Sequence, residues 1–147
     1  MFKHILLPTD GSRLSERAVT TGIRFAAKIR ARVTALHVVP EFKPFADEGF
    51  APMSPALKKR LDDEARARAS KMLDAIARAA RSKRVRCATL TAASDLPYLE
   101  IIATARRKKC DLIMMASHGR RGLSSLLLGS ETSKVLLHSK IPVLVVR

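Results

Sequence analysis

The sequence predicts a single parallel α/β domain, a five-stranded sheet with helices on both faces. Its 147 residues suffice for one domain with a buried core. Five short apolar runs of β character alternate with stretches of helical character, the order that gives parallel strands joined by right-handed crossovers. The fourth run is apolar throughout, as expected of a strand that helices cover on both sides.

A tight turn separates the first strand from the first helix. The apolar run Lys3–Pro8 predicts the strand, and Thr-Asp-Gly-Ser at 9–12 predicts the turn. The second strand, Val33–Val39, ends at Pro40. Between them lies a helix with one buried face of apolar or small residues, namely Leu14, Ala18, Gly22, Phe25, Ala26 and Ile29.

The middle of the chain predicts a loop and then a long helix. Residues 41–54 contain Pro44, Gly49 and Pro52 without a steady period, which predicts the loop. Ser54-Pro55 is typical of a helix start, a hydroxyl N-cap followed by proline. The third strand is predicted at Val85–Thr91. The helix before it has a buried face formed by Leu57, Leu61, Ala65, Met72, Ile76 and Ala79 or Ala80.

Two further helices and two strands complete the chain. Asp95 is predicted to cap a helix with Pro97 in its first turn and a buried side formed by Tyr98, Ile101, Ile102 and Ala105. The fourth strand is Leu112–Ala116 and the fifth is Val143–Val146, with a helix from about Ser130 to Ser139 between them. Residues 1–147 show no linker or repeat, so one domain is expected.

Composition argues against several classes of protein. No apolar run approaches the roughly 20 residues of a bilayer span, and the amino terminus is too short and too soon broken for a secretory signal. Cys87 and Cys110 match neither a metal-binding spacing nor a disulfide framework. We therefore expect a cytoplasmic protein with no membrane contact and no metal site of its own.

The net charge of +15 is the unusual number. Such a field attracts nucleotides, nucleic acid or acidic membranes. Most of the basic residues fall within or just after predicted helices, and aromatic residues for base stacking are nearly absent there. We favour charges that simply solvate the helices, and contact with nucleic acid stays open as an alternative.

The segment 116–130, Ala-Ser-His-Gly-Arg-Arg-Gly-Leu-Ser-Ser-Leu-Leu-Leu-Gly-Ser, predicts a phosphate site. In open parallel sheets, ligands bind outside the carboxyl ends of the strands where the strand order reverses. This segment would meet 9–12 and 38–40 there. Gly129-Ser130 opens a helix whose unpaired N–H groups, with Arg120 or Arg121, could hold phosphates. An ordinary glycine turn before a helix capped by Ser130 is the alternative.

The segment resembles the nucleotide-binding signature of the universal stress protein family, G-x2-G-x9-G-[S/T]. Gly119, nine residues and Gly129-Ser130 match its second half, whereas Ala116 stands at its first glycine. The resemblance spans the chain, through Ile-Leu-Leu-Pro-Thr-Asp-Gly-Ser at 5–12, Leu-His-Val-Val at 36–39, Cys-Asp-Leu-Ile at 110–113 and Pro-Val-Leu-Val-Val at 142–146. It implies a Rossmann-like fold of the adenine nucleotide alpha hydrolase type.

The resemblance also implies roles for particular residues. Asp10, beside Thr9, would bind the ribose of ATP, and the backbone of Val38 would meet the adenine. Gly119, Gly129 and Ser130 would hold the phosphates. Arg120 joins them on account of its charge alone, and Mg²⁺ would arrive on the phosphate oxygens of the nucleotide. Ala116 would lie beside the ribose and first phosphate. Its methyl group is tolerated if φ there is negative, whereas a positive φ would weaken binding.

Neither histidine near the site is assigned a catalytic role. His37 lies in a strand pattern and is expected to pack rather than bind, whereas for His118 ligand contact and structural capping are equal alternatives. No residue other than Asp10 or His118 is placed to orient water, so we favour a nucleotide-binding regulator or slow switch. A weak ATPase, a nucleotide-free adaptor and a basic module touching nucleic acid remain alternatives. The resemblance implies a homodimer that pairs Val143–Val146.

Overall fold

The computed structural model describes residues 1–41, 53–119 and 128–147. Strands and helices alternate throughout, and every strand pair is parallel. The five-stranded parallel α/β architecture is thereby confirmed. The elements are β1 (His4–Pro8), α1 (Arg13–Ile29), β2 (Arg32–Val39), α2 (Pro55–Ser82), β3 (Cys87–Ala93), α3 (Pro97–Arg107), β4 (Leu112–Ala116), α4 (Ser130–His138) and β5 (Val143–Val146).

The strands lie in the order β3-β2-β1-β4-β5. Ile5 of β1 is in register with Val33 of β2 on one side and with Leu112 of β4 on the other. The chain therefore runs outward from β1 to one edge of the sheet, returns to the middle and runs outward to the other. The strand order reverses between β1 and β4, which is where an open parallel sheet leaves a crevice at its carboxyl edge.

Helices cover both faces of the sheet because the central strands are buried on both sides. Side chains that alternate along β1 enter different cores: Ile5 and Leu7 pack beneath α1 and α2, and Leu6 packs beneath α3 and α4. All five residues of β1 and all five of β4 are buried. Full burial explains why neither strand shows the alternation of apolar and polar residues typical of a half-exposed strand.

Several element boundaries match the predictions, and β3 differs from its prediction for a local reason. β4 and β5 have the predicted bounds, whereas β3 begins at Cys87 rather than Val85. Val85 belongs to the turn that follows α2, since its N–H donates back to Ala80 O at 3.0 Å after Arg84 takes φ 57°. The left-handed turn at Arg84 delays the strand by two residues.

The buried faces of the first two helices differ in part from the prediction. In α1 the fully buried residues are Ser15, Ala18, Val19, Gly22, Ile23 and Ala26, so the face is rotated towards Val19 and Ile23. In α2 the fully buried residues are Ala69, Leu73 and Ala80, and Leu57 is 45% exposed. The predicted face of α2 was therefore wrong at its amino-terminal end.

One predicted helix cap is confirmed and another is wrong. Ser54 caps α2, accepting the N–H of Leu57 at 3.2 Å. The N-cap of α3 is Leu96, whose side chain makes no capping hydrogen bond, and Asp95 instead accepts the N–H of Glu41 at 3.1 Å. Glu131 of α4 accepts the N–H of Tyr98 at 2.9 Å. A carboxylate 33 residues away thus replaces the local cap that the sequence suggested.

Within the described ranges, no helix combines the length and apolarity needed to cross a membrane. The predicted loop at 41–54 lies largely outside the described residues, which omit 42–52.

Candidate functional site

A cleft of about 770 Å³ opens at the carboxyl edge of the sheet, where the strand order reverses. The structure brings seven of the eight predicted binding residues to its lining, and Arg120 lies outside the described residues. The seven come from the ends of three neighbouring strands and the start of α4. They are Thr9, Asp10, Val38, Ala116, Gly119, Gly129 and Ser130.

Thr9 is fixed by hydrogen bonds to all of its polar groups. Its hydroxyl lies 2.9 Å from Ser15 Oγ and accepts the N–H of Gly11 at 3.2 Å. Its N–H donates to Leu36 O at 2.9 Å, and its carbonyl lies 2.8 Å from His37 Nδ1. A carbonyl only accepts, so Nδ1 of His37 carries the proton. His37 therefore holds the β1 turn in place, consistent with the packing role expected for it.

Asp10 faces Gly119 across the cleft. Its Oδ1 accepts the N–H of Ser12 at 2.9 Å, which fixes the carboxylate above the start of α1. A Cβ atom at Gly119 would stand 2.5 Å from Asp10 Oδ2, closer than real Cβ atoms come to any neighbour. The absence of a side chain at 119 is what allows the carboxylate to occupy this position.

The start of α4 is packed tightly against the end of β4. Gly129 donates its N–H to Ser117 O at 2.8 Å, and a Cβ there would stand 3.2 Å from the Cα of His118. Thr132 reinforces the junction, since its buried hydroxyl donates to Ala116 O at 2.9 Å. A bare backbone at 129 therefore brings the first turn of α4 to the cleft.

The amino-terminal amides of α4 form the electropositive side of the cleft. The first intrahelical bond runs from Ser133 N–H to Gly129 O at 2.9 Å, so the amides of 130–132 precede the helical ladder. The positive end of the helix dipole adds to them, and an anion is the natural ligand for such a terminus. Gly129 rather than Ser130 is the N-cap, so the hydroxyl of Ser130 is not used for capping.

The backbone at Ala116 has a conformation that alanine adopts without strain. The residue lies in β4, and the described non-glycine residues with positive φ are Arg30, Arg84 and Lys109. Alanine therefore introduces no left-handed strain at the position where the family signature has its first glycine. The condition under which the methyl group is tolerated is met.

His118 lines the cleft and carries a buried ring nitrogen. Its Nδ1 lies 2.9 Å from Ser117 Oγ, and its buried Nε2 has no hydrogen-bond partner within the described ranges. A buried nitrogen without a partner costs free energy that a ligand atom would recover. Together with the bare backbones at 119 and 129, this nitrogen fits a polar ligand.

Several lining residues were missed by the sequence reasoning. Ser94 and Asp95 follow β3, and they reach the cleft because β3 lies beside β2, which the sequence alone did not specify. Glu131 and Thr132 lie in the first turn of α4. Their place directly after Gly129-Ser130 could have identified both as lining residues. For Thr132, a hydroxyl at a helix position that is otherwise apolar was a further indication.

The described residues offer no alternative metal or thiol chemistry. They contain no group of three His, Cys, Asp or Glu side chains arranged to hold a metal ion. Burial, followed by the neighbouring charge of Asp111, raises the pKa of Cys110 to about 11, and burial likewise raises the pKa of Cys87. Thiols with raised pKa values remain protonated at neutral pH and are poor nucleophiles and ligands.

The sequence profile of the universal stress protein family matches residues 1–147. This chain belongs to the universal stress protein family. It is 33% identical over 150 residues to a universal stress protein of Methanocaldococcus jannaschii, covering 100% of this chain and 83% of that relative. It is 30% identical over 149 residues to the universal stress protein YxiE of Bacillus subtilis, covering 100% of both chains.

Solved structures of universal stress proteins share the fold. A second Methanocaldococcus jannaschii protein superposes with a TM-score of 0.84 at 29% identity, covering 99% of this chain and 96% of that one. A universal stress protein in complex with cAMP has a TM-score of 0.73 at 22% identity, covering 99% of this chain and 97% of that one. One from Archaeoglobus fulgidus in complex with dAMP has a TM-score of 0.64 at 16% identity, covering 100% of this chain and 98% of that one.

Proposed function

We propose that this universal stress protein binds an adenine nucleotide, ATP in particular, in the cleft between β1 and β4. The observation that carries the proposal is the packing of Gly129 on Ser117 and His118. It brings the amides of a helix terminus to the same cleft as the carboxylate of Asp10. Amides suit phosphate, and a carboxylate suits sugar hydroxyls, so the two together match a nucleotide.

The proposed contacts divide the ligand among three strand ends. Asp10 accepts hydrogen bonds from the ribose, the backbone of Val38 meets the adenine, and Thr9 holds the turn that carries Asp10. Gly119, Gly129 and Ser130 surround the phosphates, with Ala116 beneath the ribose and first phosphate. Mg²⁺ would accompany ATP through the phosphate oxygens rather than through a cluster of protein ligands.

The comparisons support the ligand class at the level of the fold. Two universal stress proteins that share this fold are in complex with cAMP and with dAMP, both of which contain adenine. Their identities to this chain are 22% and 16%, so they support a fold that accepts adenine nucleotides and not a particular contact. We propose ATP rather than a monophosphate because the α4 terminus offers several amides, which suit more than one phosphate.

We further propose that the bound nucleotide acts as a regulatory signal in the cytoplasm. Hydrolysis needs a group that positions water. Among the described cleft residues near the α4 terminus, Asp10, His118 and Glu131 carry suitable groups, and both carboxylate oxygens of Glu131 are already bonded, to Tyr98 and Lys134. Asp10 is assigned to the ribose, so we expect ATP turnover to be slow or absent. Weak ATPase activity is the competing reading, and it predicts turnover that disappears with His118→Ala.

A homodimer is the proposed assembly. β5 forms one edge of the sheet and pairs with β4 alone among the described strands. Leu137 of α4 is 78% exposed and Leu144 of β5 is 37% exposed beside this edge. An exposed apolar edge strand is an aggregation hazard unless it is paired. Light scattering at micromolar concentration should give twice the 16.2 kDa chain mass, whereas a monomer contradicts the proposal.

The test of nucleotide binding is isothermal titration of the purified protein with ATP and Mg²⁺, after absorbance has excluded carried-over nucleotide. We expect micromolar affinity that Gly129→Val abolishes, because the added side chain meets backbone atoms of Ser117 and His118. Ala103→Val is the matched control, since it adds the same side chain at an exposed position of α3. Absence of binding by the unaltered protein would place it among nucleotide-free adaptors.

A further inference from the structure

The end of the molecule opposite the cleft carries a dense group of basic side chains. In a parallel sheet every strand begins at one edge and every crossover helix ends there. Thirteen of the chain's 28 Lys and Arg residues occupy these strand starts and helix ends, and all thirteen are exposed. This basic edge consists of Lys3, Lys28, Arg30, Arg32, Arg81, Lys83, Arg84, Arg86, Arg106, Arg107, Lys108, Lys109 and Lys140.

Backbone hydrogen bonds bring three members of the basic edge side by side. Arg32 N–H donates to Lys3 O at 3.0 Å, and Val33 N–H donates to Arg86 O at 2.8 Å. Arg86, Arg32 and Lys3 therefore stand side by side at the starts of β3, β2 and β1. Neighbouring strands are about 4.8 Å apart, so the five strand starts span about 19 Å. The phosphates of one strand of a duplex recur about every 3.4 Å of helix axis, so a row of this length parallel to the axis spans roughly five of them.

Little on this edge neutralises the charge. Asp111 is the acidic residue there within the described ranges, and its two carboxylate oxygens accept the N–H groups of Lys3 and His4 at 2.8 and 2.9 Å. Arg107 pairs with Glu100, and the other twelve make no ion pair with a described residue. Four helix carboxyl ends contribute about −0.5 each, or about −2 together. Thirteen cations exceed this by a wide margin.

The backbone gives a second, independent sign that cations are retained here. Arg30, Arg84 and Lys109 are the described non-glycine residues with positive φ, at 56°, 57° and 55°. Arg30 is the C-cap of α1, and Arg84 and Lys109 directly follow the C-caps of α2 and α3, all in the conformation that glycine adopts without strain. Three left-handed residues at helix ends thus carry cations where glycine would be easier to accommodate. Solvation of a helix end does not require this, whereas a need for charge at this edge explains it.

We propose that the basic edge binds the phosphodiester backbone of double-helical nucleic acid without regard to sequence. Seven of its thirteen members are arginine, which pairs with phosphate in two-pronged fashion. The chain has no tryptophan, and its one tyrosine, Tyr98, lies in the first turn of α3, at the other edge. Phe2, next to Lys3, is half-buried against the core beneath α1 and α2. Because the described residues of the basic edge include no exposed aromatic side chain, this edge lacks both the stacking surface of single-strand binders and the interfacial anchors of membrane binders.

The test is fluorescence anisotropy of a labelled 20-base-pair DNA duplex of arbitrary sequence, titrated with the full chain at several salt concentrations. We expect binding at low salt that weakens steeply as salt rises, because each neutralised phosphate releases counterions. The diagnostic variant is Arg30→Gly/Arg84→Gly/Lys109→Gly, which removes three charges and relieves three left-handed residues. Its fold should therefore survive, as circular dichroism will check. The slope of log affinity against log salt should become shallower by about 3.

A matched control, Lys59→Gln/Arg60→Gln/Arg66→Gln, removes three exposed charges from the amino-terminal half of α2, which lies outside the basic edge. It should keep the salt slope of the unaltered protein. Equal weakening by both variants would mean that net charge and not this edge binds, and no binding at low salt would remove the proposal. Tighter binding to a single strand, or binding to phosphatidylserine vesicles without binding to the duplex, would also overturn it.

Discussion

Gly119→Ala tests whether the close approach of Asp10 to residue 119 is essential for ligand binding. The added Cβ would stand 2.5 Å from Asp10 Oδ2, and ordinary contact begins at 3.4 Å, so the carboxylate must retreat by about 0.9 Å. A displacement of this size pushes the side chain off its rotamer, at about 0.5–1.5 kcal/mol. It also weakens the charged hydrogen bond from Ser12 N–H, now 2.9 Å long. Free energy of unfolding should fall by about 1–2 kcal/mol.

The effect on affinity should be larger than the effect on stability. A carboxylate moved away from the ribose loses a charged hydrogen bond worth about 1.5–3 kcal/mol, which is a 10- to 100-fold rise in Kd. Calorimetric titration of Gly119→Ala, Asp10→Ala and the double variant measures the coupling. If Gly119 acts through Asp10, the second substitution adds almost nothing to the first. Additive losses, or an affinity within twofold of the unaltered protein, would refute the reasoning.

Three other perturbations follow from described contacts. Ala116→Gly should leave ATP affinity within about threefold of that of the unaltered protein. It should lower the free energy of unfolding in urea by about 0.5–1 kcal/mol, since glycine gains entropy in the unfolded chain. Tighter binding by tenfold would show that the methyl group obstructs the site. Burial, then the charge of Arg32, lowers the pKa of His4, whose Nε2 lies 2.8 Å from Thr34 Oγ1. The unfolded chain therefore binds more protons below about pH 6.5, and stability should fall as pH falls there, by at most about 1.4 kcal/mol per pH unit from this group. His4→Gln should flatten that slope in urea titrations, and an unchanged slope would contradict the assignment. Ser54→Ala should reduce the helical ellipticity at 222 nm but move the urea midpoint little. The reason is that no residue of α2 before Ala69 is completely buried, so fraying of this end exposes little of the core. A loss of more than about 2 kcal/mol in global stability would contradict this.

Sequence patterns predicted most of the fold because helix and strand periods are strong local signals. β4 and β5 were predicted to the residue, since uninterrupted apolar runs bounded by polar residues leave little choice. The errors came from interactions that are not local. Asp95 was assigned as a cap, but Glu131 reaches α3 from another helix, and a left-handed turn at Arg84 displaced the start of β3.

The candidate site was predictable in position but not in its packing. The rule for parallel sheets placed Asp10 and Gly129 at one edge, and the structure brings both to the cleft. The clearance between Gly119 and Asp10 depends on tertiary distances that no sequence period records. Most basic residues were expected within or just after helices, with nucleic-acid contact left open, but the basic edge itself was not predicted because its members are distributed along the chain. They converge only when the strand order and the helix directions are known together.

The length of α2 has a mechanical consequence. Its 28 residues make a rod of about 42 Å, and its completely buried residues, Ala69, Leu73 and Ala80, all lie in the second half. The sheet therefore holds the first half less firmly, and this half extends about 21 Å from Ala69 to Pro55. A bend of roughly 10° near Ala69 would move Pro55 through an arc of about 4 Å while the second half stays packed on the sheet. A small bend near Ala69 therefore becomes a displacement of several ångström at the start of the helix.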